Sequence, residues 1–430
     1  MRADTREAVE QAMTNATAAL EQDVCASSGA NRSARVRTIK AAVSTLPHAN
    51  LSLISVPGEF AAIEARRALA LGMNVMIFSD NVPVEQERGL KEYAREKGLL
   101  VMGPDCGTAI IAGTPLAFSN EIPHGHIGVV SAAGTGLQEF SVLIARHGHG
   151  ISHGIGVGGR DLSDAVGAIT TETALDALEE DPQTEQIVLI SKPPGEQTVK
   201  RILRRLERCR KQVIACLLGL DNPLEAADNV TLVRTIKAAA EYAVGETIGA
   251  AFSVDQVART AGGKRGWIRG LYSGGALCAE AQVVLRDSGL NPQSNVPTPG
   301  CSHTGRLDAG AHVLIDLGSD EYTAGRPHPM IEPAVRSTAV ASALEDPQTA
   351  VILLDVVLGY GAHSDPAGAI TTVLDDFDGK RPAVVASVCG TEGDIQGLHG
   401  QIRRLEGANV IVAPSNAHAA EVAARIVQSD

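Results

Sequence analysis

Val130-Ser131-Ala132-Ala133-Gly134-Thr135-Gly136-Leu137-Gln138-Glu139 and Leu271-Tyr272-Ser273-Gly274-Gly275-Ala276-Leu277-Cys278-Ala279-Glu280 follow one pattern. Each is an apolar strand end, a turn of small residues and the opening of a helix with a glutamate on its early turns. Both helices are expected to end at a glycine, Gly148 and Gly289. The likeness continues downstream. Gly159-Arg160 precedes Asp181-Pro182-Gln183-Thr184, and Gly325-Arg326 precedes Asp346-Pro347-Gln348-Thr349. Each tetrad runs straight into an apolar strand, at 187–190 and at 351–354. Further strands follow at 213–216 and 230–233 in one stretch and at 383–386 and 410–413 in the other. The chain therefore reads as two diverged copies of a flavodoxin-like unit, 123–248 and 268–430, joined by a linker at 249–267. Ligands of such units sit beyond the carboxyl ends of the strands.

Upstream, residues 1–33 read as a helical arm, with a helix over 4–23 and a small-residue linker at 26–30. Residues 34–122 alternate short apolar strands (51–56, 74–78, 99–102) with helical patterns, as in a parallel sheet covered on both faces. The fold class is thus α/β: a partial Rossmann-like domain followed by two flavodoxin-like parallel-sheet domains.

Composition narrows the function. A net charge of −13 and 3% aromatic residues argue against nucleic acid, which draws on clustered cations and stacking rings. The one basic run, 200–211, has the spacing of a solvated helix face. No run of 18 apolar residues and no apolar signal core are present, so neither a membrane span nor secretion is expected, and the cytoplasm is. Seven cysteines without a CxxC pair suit reduced thiols.

The chemistry-bearing candidates lie at strand ends. Turns without bulky side chains let backbone N–H groups approach an anion, and the helix dipole favours negative charge there. Ser131, Ala133, Gly134 and Thr135 form one such turn, and Ser273, Gly274 and Gly275 the other; close strand–helix packing is the competing explanation for both. Arg160 and Arg326 each follow a glycine at corresponding places, and arginine offers a planar fork to carboxylate or phosphate. His328 lies between prolines, His363 follows Gly359-Tyr360-Gly361-Ala362, and Glu392 lies in Gly390-Thr391-Glu392-Gly393-Asp394. The GxGxxG at 154–159 closes an inner strand without the acidic partner of a dinucleotide site, and Lys264 lacks the Ser or Thr of a P-loop. His147, His149 and His153 have no matching acid, so no metal is assigned.

These motifs resemble a known family. Gly103-Pro104-Asp105-Cys106-Gly107-Thr108, the turn from Ser131 to Glu139 and Gly158-Gly159-Arg160-Asp161-Leu162-Ser163 look like the FdrA family. So do the stretches 325–330, 354–361 and 390–392, and the similarity runs from Arg2 to Asn416. FdrA proteins are similar to both halves of succinyl-CoA synthetase fused in one chain, whose paired helix N-termini grip a phosphate. Relative to fuller members, this chain is expected to be shortened at both ends. The phosphohistidine loop of the synthetases is replaced by Leu218-Gly219-Leu220-Asp221-Asn222-Pro223, and neither an ATP-grasp domain nor the glycine-rich CoA turn is found.

The resemblance implies a subunit of an oxamate carbamoyltransferase of allantoin catabolism, working with other subunits in a hetero-oligomer. Oxalurate and phosphate would give oxamate and carbamoyl phosphate. Phosphate would sit between the turns, Arg160 and Arg326 would clamp phosphate and carboxylate, and His328 or His363 would polarise a carbonyl or move a proton. The alternative is a subunit of an ADP-forming acyl-CoA synthetase, with CoA as its ligand, and a third reading is a non-catalytic anion-binding assembly subunit.

Overall fold

A computed structural model describes residues 36–429 apart from 221–225, 264 and 308–309. The helix expected over 4–23, the linker at 26–30, Lys264 and the segment Asp221-Asn222-Pro223 lie outside the described residues. The described residues fall into two units, divided after His48. In the first, helix α1 (Ile39–Thr45) is capped by Thr38, whose hydroxyl accepts the Ala41 N–H at 3.1 Å.

The second unit holds three sheets. β1 (Leu51–Ile54), β2 (Asn74–Ile77) and β3 (Val101–Met102) pair in parallel in that order, with α2 (Gly58–Ala70) and α3 (Val84–Glu96) between them in sequence. Short β-rich runs broken by longer helical ones leave no hairpin route, so the connections cross over and the strands align.

The next strands are β4 (Thr108–Ile111), β5 (Thr114–Ala117), β6 (His124–Ser131), β7 (Ile151–Gly156), β8 (Gln186–Ser191), β9 (Gln212–Leu217) and β10 (Val230–Val233). They form one sheet in the order β10-β9-β8-β6-β7-β4-β5. Its helices are α4 (Gly134–Ala145), α5 (Ile169–Glu180), α6 (Glu196–Glu207) and α7 (Ile236–Val244). After α8 (Val254–Ala261) come β11 (Trp267–Tyr272), β12 (Gln293–Ser294), β13 (Ser302–His303), β14 (Val313–Asp316), β15 (Thr349–Val357), β16 (Ala383–Cys389) and β17 (Ile411–Ala413). They form a sheet in the order β13-β12-β14-β11-β15-β16-β17. The helices of this third sheet are α9 (Gly275–Asp287), α10 (Asp320–Thr323), α11 (Ala334–Glu345), α12 (Pro366–Asp375), α13 (Leu398–Gly407) and α14 (Asn416–Gln428).

The run β10-β9-β8-β6-β7 matches β17-β16-β15-β11-β14 strand for strand, the order of a flavodoxin-like unit. The repeated tetrads are the same turn in both. Asp181 accepts the Gln183 N–H at 3.2 Å and the Thr184 hydroxyl at 2.6 Å, and Asp346 accepts the Gln348 N–H at 2.9 Å and the Thr349 hydroxyl at 3.1 Å. Such aspartate turns start the strands that follow.

Two features differ from the sequence expectation. The segment 103–122 was grouped with the first sheet, but its hairpin β4–β5 is hydrogen-bonded antiparallel onto β7 through Ile110 and Gly154. The glycines of 154–159 make that approach possible: a side chain on Gly156 would collide with the carbonyl of Thr108. The linker at 249–267 contains α8, and the Phe252 ring beside it packs edge-on against His418 of α14, 5.6 Å between centroids.

Candidate functional site

The two small-residue turns meet. Ala276 N–H, in the first turn of α9, donates to the Thr135 hydroxyl in the first turn of α4 at 3.3 Å. The contact depends on Gly274, where a Cβ would stand 2.9 Å from Thr135 Cγ2. Neither helix has a side-chain cap: the N-cap residues are Ala133 and Gly274. The early N–H groups of both helices therefore point into one region with their dipole ends together, an arrangement that favours an anion. Gly134, Thr135 and Gly275 are partly open to solvent, whereas Ser131, Ala133, Ser273 and Gly274 are buried.

The turns differ in what already occupies their donors. Ser131 Oγ accepts the Ala133 N–H at 3.1 Å and so ties its own turn. At the second turn, buried Asp355 accepts the N–H groups of Ser273 at 2.8 Å and Gly274 at 2.7 Å. Arg336, also buried, holds that carboxylate and the Ser273 hydroxyl, the latter at 2.7 Å. Burial still pushes the Asp355 carboxyl upward, against the pull of Arg336. With the Ala276 N–H given to Thr135, the Gly275 N–H is the early donor left for a ligand at this turn.

Side chains from three directions reach the mouth. The Thr108 hydroxyl, on β4, is buried without a hydrogen-bond partner among the described residues, and lies 3.1 Å from where a Cβ on Gly134 would stand. A buried, unpaired hydroxyl costs free energy unless something completes it. Lys192, just past β8, has its ammonium 2.7 Å from the Cβ position of Gly275 and 4.0 Å from Asp316 Oδ2. Asp105 is exposed as a residue, with its carboxyl beside Gly159. Desolvation by the surrounding protein pushes that carboxyl up to about 6, Lys192 and Arg160 pulling the other way and Asp320 and Asp80 adding to the rise. Burial also raises Asp316. An anion here would face carboxylates as well as donors, and Lys192 offsets them.

The sequence candidates fall into two groups. His328 belongs to this mouth: its Nε2 is 2.6 Å from the Cβ position of Gly318, which would also be 2.7 Å from the Ser273 carbonyl. His363 lies beside it, since its N–H donates to the Met330 carbonyl at 2.7 Å while the Met330 N–H donates to His328 Nδ1 at 3.2 Å. The others have different surroundings. Arg160 shares the loop after β7, but its guanidinium donates to the Val82 carbonyl at 2.7 Å and lies 2.9 Å from Glu87 Oε2, an ion pair not aligned as a hydrogen bond. Glu87 is buried with Lys91, which also holds Asp161 at 2.7 Å, so Arg160 extends a network fastening α3 to the loop after β7. Arg326 is exposed, with α10 between it and β14, and has no side-chain partner among the described residues. The two arginines follow equivalent strands without sharing an environment, and the arginine at the second turn is Arg336. Glu392 is exposed and bound to His399, whose Nδ1 lies at 2.6 Å. Among the described residues no cluster of His, Cys, Asp and Glu could hold a metal, and no helix is long and apolar enough to cross a membrane.

Sequence reading missed Thr108, Lys192, Asp316, Arg336 and Asp355. Asp105 and Thr108 stood inside a quoted motif, and Lys192 and Asp316 stand at strand ends equivalent to those already examined. Asp355 lies within the stretch 354–361, and only Arg336, in the first turn of α11, gave no signal.

The chain has relatives among known proteins. The protein YahF of Escherichia coli K12 is 41% identical over 401 residues, covering 89% of this chain and 78% of YahF. The chain belongs to the YahF family. A CoA-ligase family model matches residues 271–426 of this YahF-family chain, most of its second copy. The alpha subunit of an ADP-forming succinate–CoA ligase from Methanothermobacter thermautotrophicus is 32% identical over 180 residues, covering 40% of this chain and 59% of that subunit. The YahF family is thus succinyl-CoA synthetase-like. Against that ligase subunit the match spans about three fifths of the relative's length. ATP citrate lyase of Methanothrix soehngenii, solved with citrate and coenzyme A, superposes with a TM-score of 0.37 at 22% identity, covering 49% of this chain and 37% of that one. A superposition that loose says nothing about chemistry.

Proposed function

We infer that this chain is a subunit of an acyl-CoA synthetase-like enzyme and handles the phosphate half of the reaction. The observation that carries this is the Thr135–Ala276 contact, which sets two uncapped helix N-termini against each other beside the unpaired Thr108 hydroxyl. Phosphate held there attacks the carbonyl carbon of an acyl thioester. The carbon–sulfur bond breaks, the thiolate leaves, and an acyl phosphate remains; the reverse reaction makes the thioester. The N–H groups and the Thr108 hydroxyl stabilise charge on the phosphate and on the carbonyl oxygen as it develops. Nucleotide chemistry falls to a partner subunit, in keeping with the alpha-subunit relatives.

CoA enters as substrate and is not held by the N-terminal sheet in the dinucleotide manner. At the turn after β1, a side chain on Gly58 would collide with the backbone of Asp80 and Asn81, so this glycine serves packing. Glu59 also puts a carboxylate in the first turn of α2, where a phosphate would otherwise dock.

A second reading, phosphate-dependent carbamoyl transfer, needs a histidine nucleophile no more than the first does, and neither His328 nor His363 has its ring set up as one. Both accept a backbone N–H at Nδ1, from Met330 at 3.2 Å and Asp365 at 3.1 Å. One experiment separates the readings. The chain, with its partner subunits, is incubated with phosphate and either succinyl-CoA or oxalurate. Phosphate-dependent thiol release, with the acyl phosphate trapped by hydroxylamine, supports the first. Carbamoyl phosphate formed from oxalurate, with no thiol release, replaces it by the second.

A further inference from the structure

The His328 ring is fixed on two sides. Its Nδ1 accepts the Met330 N–H at 3.2 Å, and it packs against Phe118 with centroids 5.8 Å apart. Phe118 continues from β5, so the same hairpin that carries Thr108 to the first turn holds this ring at the second. A neutral imidazole has one ring proton, and an Nδ1 that accepts leaves that proton on Nε2. Burial, and after it the nearby Arg336, push protonation of the ring down to about 4, so the neutral form prevails near pH 7. Nε2 has no hydrogen-bond partner among the described residues. It stands over Gly318, where a Cβ would intrude within 2.6 Å, so the missing side chain keeps the space beside the N–H clear.

We propose that His328 is an uncharged N–H donor to an oxygen of the anion held at the second turn, and neither shuttles a proton nor carries a phosphoryl group. A phosphoryl carrier must attack through a nitrogen lone pair, and an Nε2 that bears its proton has none in the ring plane. A proton shuttle needs a ring that titrates near the working pH. A neutral imidazole can still polarise an oxygen by hydrogen bonding. The role rests on reading the facing turns as an anion site, and that reading can fail separately.

Two measurements test it on the full-length chain. In long-range proton–nitrogen spectra of 15N-labelled protein between pH 6 and 8, the ring signals lost in His328→Gln should belong to the Nε2–H tautomer. An Nδ1–H tautomer would overturn the donor role while leaving the anion site standing. The second measurement is binding of sulfate, followed by the melting temperature. Glutamine keeps a neutral N–H donor near the place of Nε2, and phenylalanine keeps the packing on Phe118 without a donor. His328→Gln should hold sulfate within about threefold of the parent, and His328→Phe should weaken it roughly tenfold or more, on the scale of a hydrogen bond to a charged group. Equal affinities in all three proteins, or equal loss in both variants, overturns the proposal. A parent chain that does not respond to sulfate sinks the anion site and the donor role together.

Discussion

Glu139 and Glu280, equivalent residues of the two copies, each cap the last helix of the other copy. Glu139 Oε1 accepts the N–H of Asn416, which opens α14, at 3.0 Å. Glu280 Oε1 accepts the N–H groups of Ile236 and Lys237, which open α7, at 2.6 and 3.1 Å. The Asn416 side chain closes the exchange by donating to Glu280 Oε2 at 2.7 Å. Both carboxylates are fully buried, so the copies are interlocked through their own helix starts.

This interlock makes stability depend on pH. Burial, and then repulsion from Glu139, raise the Glu280 carboxyl from 4.5 to about 7, and burial raises Glu139 as well. Raised folded-state values mean that the folded protein binds more protons than the unfolded chain across that interval. Stability from this source is full below about 4.5 and is lost as pH rises through about 7. Urea unfolding at stepped pH should show that decline, and Glu280→Gln should flatten it. An identical slope in the variant would assign the protons elsewhere.

Asp105 should govern how tightly an anion binds. Sulfate keeps its charge between pH 5 and 8, so any change in its affinity reports on the protein. Above about 6 the Asp105 carboxylate opposes it, and below that value the neutral acid does not. Sulfate should therefore raise the melting temperature more at pH 5 than at pH 7.5, and Asp105→Asn should remove most of the difference. An unchanged difference in the variant would transfer the effect to Asp316.

Thr108→Val removes a hydroxyl that nothing among the described residues satisfies while keeping the shape of the side chain. The apo protein should be no less stable, because a buried, unpaired polar group is lost. Phosphate affinity should fall roughly tenfold, measured by calorimetry. Gly274→Ala should weaken phosphate through a different route, by pressing a methyl group against Thr135 and forcing the helix termini apart. Unaltered phosphate affinity in both variants would place the anion away from the turns.

Arg336→Met should destabilise the fold by about 3–5 kcal/mol, the cost of leaving a buried charge unpaired. The stranded group is Asp355, which would keep only the N–H groups of Ser273 and Gly274. Adding Asp355→Asn should recover a large part of the loss, and a double-mutant cycle in urea measures it. Strict additivity of the two losses would show that the pair is not coupled.

The duplication was legible in the chain because both of its signals are local. Backbone turns such as Asp181-Pro182-Gln183-Thr184 are closed by residues within three positions of one another, and strands and helices announce themselves by the spacing of apolar residues. Those signals give the element count of a flavodoxin-like unit, and with it the position of both small-residue turns at carboxyl strand ends. Local pattern could also present Arg160 and Arg326 as counterparts, since each follows a glycine. It could not show that Arg160 is taken up by Glu87 and Val82, which arrive from α3 and the loop before it.

Sequence alone therefore determined the class of fold, the two copies and the two turns, because short-range hydrogen bonds and hydrophobic period specify them residue by residue. Tertiary structure alone decided that the turns face each other, that Thr108 reaches the first on a hairpin whose following residue, Phe118, packs against His328 at the second, and that Arg336 supports the second. Those contacts join residues far apart in the chain, and their worth comes from burial: a hydroxyl, an imidazole or a carboxylate becomes a donor, a neutral ring or a proton-linked cap only once water is excluded around it.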